Sequence, residues 1–144
     1  GTDDPDTVRR MRYFNNLYLQ VQLTKKFGFI AGFDIGEQQS KKYSSKYNTW
    51  FSPIIILRIS FTNKWSASIR AEHYQDKDEV IISTLTPKGF QTSGLSLNID
   101  YLPSKNIACR MEGRWLKSAD KIFQKQNKNV ADNFAVVNSI AISF

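Results

Sequence analysis

Arg58, Arg70, Glu72, Asp100, Arg110, Glu112 and Arg114 are the residues of this chain best suited to chemistry, and within each stretch they are spaced by two. In an extended backbone, positions i and i+2 share a face. Arg70 and Glu72 therefore form one charged row, and Arg110, Glu112 and Arg114 another. Asp34 joins them from an earlier stretch. Guanidinium forks meet carboxylates in bidentate, charge-assisted bonds, and rings of such charges set ion selectivity where they line a pore. The same groups can instead form a neutralised cross-strand ladder that only holds a wall together, because buried charges are normally paired. Both readings stand at this point.

Catalysis finds little to work with. A covalent mechanism needs a nucleophile and a base placed to meet. His73 is the only histidine. Its parity groups it with Ile69 and Ala71, while the nearest serines, Ser66 and Ser68, take the opposite parity. Cys109 is also alone, which excludes an internal disulfide and a thiolate metal cluster. No catalytic residue, metal or cofactor is expected, and the chain does not read as an enzyme.

The elements that must position the charges are strands. Seven stretches alternate with a period of two. Leu17, Leu19, Val21 and Leu23 alternate with Asn16, Tyr18, Gln20 and Gln22; Phe29, Ala31, Phe33 and Ile35 alternate with Gly28, Ile30, Gly32 and Asp34. The third stretch runs from Phe51 to Phe61, with Pro53 predicting a bulge or a weakened ladder. Trp65–Glu72, Thr92–Tyr101, Ile107–Trp115 and Ala135–Phe144 complete the set, Asn138 interrupting the last apolar row. One face of every stretch is free of Asp, Glu, Lys and Arg. The other face carries the charges. So many apolar faces, with no helix to cover them, predict a barrel turned inside out: Leu19, Phe33, Leu57, Ile69, Leu97, Met111 and Ile140 toward lipid, and the charged set toward a lumen.

The connections agree. Tight joins at Thr24-Lys25-Lys26, Thr62-Asn63-Lys64 and Pro103-Ser104-Lys105-Asn106 alternate with long polar ones, Glu37–Asn48, Gln75–Lys88 and Lys117–Asn133. The last has room for a short helical turn. Turns at one end and loops at the other are the layout of outer-membrane barrels. Phe27, Phe61, Trp65, Tyr101 and Phe144 sit by the turns; Phe14, Trp50, Phe51, Tyr74, Phe90, Trp115 and Phe134 sit by the loops, predicting two aromatic girdles. Hydrophobic residues make up 41% of the chain, with no apolar run near the ~18 residues of a spanning helix. The net charge of +7 lies mostly in the loops, with no basic helix or zinc motif, so nucleic acid is not an expected partner.

The segments Arg10-Met11-Arg12-Tyr13-Phe14-Asn15-Asn16, Gly32-Phe33-Asp34-Ile35-Gly36, Tyr47-Asn48-Thr49-Trp50-Phe51-Ser52-Pro53, Arg70-Ala71-Glu72-His73-Tyr74, Thr86-Pro87-Lys88-Gly89-Phe90, Gly113-Arg114-Trp115-Leu116 and Ser139-Ile140-Ala141-Ile142-Ser143-Phe144 together resemble the C-terminal half of the OmpL-like β-barrel porins of Gram-negative bacteria. The resemblance covers nearly everything after Arg9. It implies an outer-membrane barrel in a lipid bilayer, and a pore, and it names no substrate; the expectation of passive diffusion of small hydrophilic solutes follows from the charged rows turned toward a lumen. The resemblance also implies that further strands precede this segment.

The expectation is thus an all-β, antiparallel up-and-down meander of about seven long strands, a partial transmembrane-type barrel. Residues 1–8 read as a disordered acidic leader, and residues 9–144 as the C-terminal portion of a larger barrel. Seven strands joined antiparallel leave the first and last running the same way, so the open edges would pair with another strand or with a second copy as a homo-oligomer. The alternative is a soluble lipocalin-like barrel that binds a small apolar ligand, with the apolar rows inside.

Overall fold

The computed structural model describes residues 5 and 7–144. Among them nine strands follow in order: β1 (Arg12–Gln22), β2 (Phe27–Gln39), β3 (Tyr47–Ser60), β4 (Trp65–Asp76), β5 (Phe90–Ser104), β6 (Ile107–Ser118), β7 (Phe123–Lys125), β8 (Lys128–Val130) and β9 (Asp132–Ile142). Seven of them form one sheet in the order β1-β2-β3-β4-β5-β6-β9, every pairing antiparallel. The fold is therefore the expected all-β up-and-down meander. The sheet is not closed: β1 and β9 are its edges, and six antiparallel steps make them run in the same direction. The expected leader at residues 1–8 falls largely on positions outside the described residues.

The period-two alternation survives as burial. Along β5, Thr92, Gly94 and Ser96 are buried while Ser93, Leu95 and Leu97 are exposed. Side chains of β1 and of β5 and β6 line a common cavity, so the sheet is strongly coiled with its polar row on the concave side. Leu19, Leu57, Ile69, Leu97, Met111 and Ile140 are all exposed on the convex side, and Phe33 shares their parity. The apolar rows are outside. That is the reverse of a lipocalin-like barrel.

The strands extend further toward the long loops than the sequence pattern predicts. β3 starts at Tyr47 and β2 reaches Gln39, so Glu37, Lys117 and Asp132 now sit on convex parity, beyond the apolar band. Regular pairing continues past that band because the backbone ladder, not side-chain polarity, carries it. Both strand prolines mark irregularities. The β3–β4 ladder skips Ser52 and Pro53 yet keeps its register on either side, as expected where a ring nitrogen has no proton to donate. The β5–β6 register shifts between Tyr101 and Ser104, around Pro103.

Two of the tight turns share one construction. The Thr24 hydroxyl accepts from the N–H groups of Lys26 and Phe27 at 3.2 and 3.1 Å, and the Thr62 hydroxyl from those of Lys64 and Trp65 at 3.1 and 3.0 Å. In the third turn Ser104 Oγ accepts from the Asn106 N–H at 3.3 Å. The connection from β6 to β9 holds no helical turn. It carries the β7–β8 hairpin, closed by Gln126 and Asn127 at φ 47° and 61°, a pair of left-handed residues that suits a hairpin and not a helix.

Candidate functional site

The concave face gathers the residues singled out by the sequence. Arg58, Arg70, Glu72, Asp100, Arg110, Glu112 and Arg114 all lie on its polar rows, set there by register: Arg70 faces Ser96, Ser96 faces Arg114, and Asp100 faces Arg110. The pairing of charges differs from a uniform cross-strand ladder. Asp100 and Arg110 form such a rung, with Nε and Nη2 of the arginine donating to the two carboxylate oxygens at 2.6 and 3.2 Å. The other two pairs run along a strand, Arg114 Nε to Glu112 at 3.0 Å and Arg70 to Glu72. Residues two apart on a strand share a face, and these side chains are long enough to bridge them. Asn16 donates to Asp34, its partner in the β1–β2 ladder. Arg58 stands apart. Its Nη2 donates to Ser66 Oγ at 3.2 Å, and no carboxylate among the described residues pairs with it.

Several buried polar atoms on this face have no partner among the described residues: Arg70 Nε, Thr92 Oγ1, Ser96 Oγ and Asn98 Oδ1. Buried polar groups are nearly always hydrogen-bonded.

The long-loop end of the face is built from residues the sequence reading placed elsewhere. Trp50, expected in an outer girdle, is 5% exposed and on concave parity. It covers Gly36, where any Cβ would overlap the indole. The Arg12 guanidinium lies over the ring at 5.7 Å while its Nε donates to the buried Gln38 at 2.7 Å. Phe14, Tyr74 and Phe90 share this parity, Tyr74 meeting Phe90 edge-on at 5.4 Å. The convex belt at this end is thus narrower than expected, with Phe51, Trp115 and Phe134 remaining on it. At the turn end the girdle stands as expected: Phe27, Phe61 and Trp65 are exposed, and Trp65 stacks on Tyr101 at 4.4 Å.

Asp76 was missed. It is 0% exposed, and its carboxylate accepts from the N–H groups of Val80, Ile81 and Ile82 at 2.8, 2.7 and 3.0 Å. This clamp folds the 77–89 loop back so that Ile81 lines a cavity with Arg12, Asp34, Trp50 and Tyr74. Gly89, at φ +62°, closes the loop where a Cβ would strike the carbonyls of Asp76 and Lys77. Glu79 accepts from the Thr84 hydroxyl and N–H and from Ser83, which holds its carboxyl down to about 2.

His73 lies on the convex row. Its Nδ1 is 2.9 Å from Ser93 Oγ and its ring is 6.1 Å from Phe51. Ser66 and Ser68 are on the other face, as their parity predicts.

No curated protein and no solved structure matches the chain. The arrangement of a polar, charge-lined concavity inside an apolar convex wall has a counterpart at the level of sequence family. The chain belongs to the family described as Putative beta-barrel porin-2, OmpL-like, whose profile matches residues 1–144, its whole length.

Proposed function

We propose that this chain forms the wall of an outer-membrane pore through which small hydrophilic solutes diffuse passively. Its reversed polarity carries the reading. Arg58, Arg70, Glu72, Asp100, Arg110, Glu112 and Arg114 line the passage and set its selectivity, while Leu19, Leu57, Ile69, Leu97, Met111 and Ile140 meet the lipid chains. Two rims also fit a bilayer: the Phe27, Phe61, Trp65 and Tyr101 belt at the turns, and the Phe51, Trp115 and Phe134 belt toward the loops. On this reading the turns face the periplasm and the long loops the exterior. The edges β1 and β9 would be covered by further strands or by a second copy, because unpaired edges are costly in lipid.

Planar-bilayer recording tests the proposal. Discrete conductance steps are expected for the protein in its barrel form. A protein that inserts fully yet never conducts contradicts the pore, and one that stays monomeric without detergent contradicts the membrane wall.

A further inference from the structure

We propose that the turn end of the concave face is an anion subsite, with Arg58 as its binding residue and small solutes bearing a carboxylate or phosphate group as its ligands. The proposal rests on the pore reading, which makes this face accessible from water.

Arg58 and Arg110 line one cavity of about 190 Å³ together with Gln20, Gln22, Ser68 and Asp100. The carboxylate there is spent, since both oxygens of Asp100 accept from Arg110. Glu112, the next acid along β6, is committed to Arg114. Arg58 donates to the neutral Ser66 alone, so its charge is uncompensated by any pair among the described residues. Gln22 is tied to the turn carbonyls of Thr24 and Phe27. Gln20 accepts from the Tyr18 hydroxyl through Oε1, which leaves its amide N–H groups to serve the same cavity. Guanidinium and amide donors converging on a small space suit one planar or tetrahedral anionic group. The volume is below that of a drug-sized pocket, so it holds a charged group and not a large molecule.

A second observation points the same way. The three turns at this end carry Lys25, Lys26, Lys64 and Lys105, and residues 23–26, 61–64 and 101–106 contain no Asp or Glu. The field at the turn mouth is therefore positive, which raises the local concentration of anions near Arg58.

Citrate is the probe. The full chain, refolded in non-ionic detergent, is titrated with citrate and with glucose by calorimetry. Citrate is expected to bind and to weaken as salt is added, while glucose does not bind. Arg58→Gln should weaken citrate about tenfold, the loss of one charge-assisted contact, whereas Arg58→Lys should hold much of the affinity. Unchanged β-sheet circular dichroism shows that each variant folds. In parallel, reversal potentials in a KCl gradient should favour chloride and move toward zero in Arg58→Gln. Equal citrate binding in the Arg58→Gln variant overturns the subsite, as does a cation-selective channel. Citrate binding through Arg58 in a protein that never conducts would uphold the subsite and remove the pore.

Discussion

At the long-loop end of the concave face, the Trp50 indole closes over Gly36, Arg12 lies across the ring, and Gln38 is buried beneath. At the turn end, Gly28 faces Arg58 across the β2–β3 ladder and opens onto a polar cavity shared by β1 and β6. Each end uses a β2 glycine opposite a large β3 side chain, with opposite results. An aromatic partner fills the space a glycine leaves and makes a packed plug. A cationic partner cannot be packed dry and keeps the space wet. The residue opposite the glycine, more than the glycine itself, decides which end of such a sheet is solid.

That contrast can be broken experimentally. Trp50→Ala removes the most buried aromatic of the face and should destabilise the chain by about 3–5 kcal/mol, measured by urea unfolding from micelles; a loss as small as that of Arg58→Gln would show that the two ends are equally loose. Leu97→Arg, on the convex wall, should cost roughly 2–4 kcal/mol near the middle of the bilayer, measured by folding into vesicles, and a neutral result would reverse the assignment of the two faces. Asp76→Asn weakens three bonds from backbone N–H to a buried carboxylate, so about 2 kcal/mol of local loop stability should go; amide exchange at Val80, Ile81 and Ile82 should accelerate with little change in the strands.

Acid gives a subtler probe. Glu79 is held down to about 2 from its ordinary 4.5, so its bonds to Ser83 and Thr84 are fully present above that ordinary value and are lost as pH falls toward 2. The 77–89 loop should loosen across that window, and Glu79→Gln should flatten the pH dependence of its amide exchange after correction for intrinsic rates. At the bottom of the range, Arg58→Gln should change stability by no more than about 0.5 kcal/mol, as a partly solvated side chain outside any ion pair should.

The strands and their polarity were legible because a period of two writes itself directly into burial, as Thr92 to Leu97 show residue by residue. Trp50 and Phe51 mark where reading by proximity fails. Neighbours in sequence near one rim, they take opposite faces, and parity assigns Trp50 inward once the strand is known to start at Tyr47. Asp76 was not legible. Its role depends on three successive N–H groups turning back on one carboxylate, a conformation that no spacing in Gln75–Lys88 encodes. The β7–β8 hairpin left only a faint trace, Phe123 and Val130 flanking Gln126-Asn127.

The hydroxyl-closed turns bear on how the sheet assembles. Each ties two strands through contacts a few residues apart, and such hairpins form in roughly 1–10 μs. Closing a loop about three times longer costs only about 1 kcal/mol more, yet that is enough to favour three hairpins, β1–β2, β3–β4 and β5–β6, as the first populated pieces. β9 belongs to none of them. It reaches β6 only across the loop that carries β7 and β8, pairs on one side, and has every residue exposed. In the open sheet it is expected to dock last during folding and to peel away first.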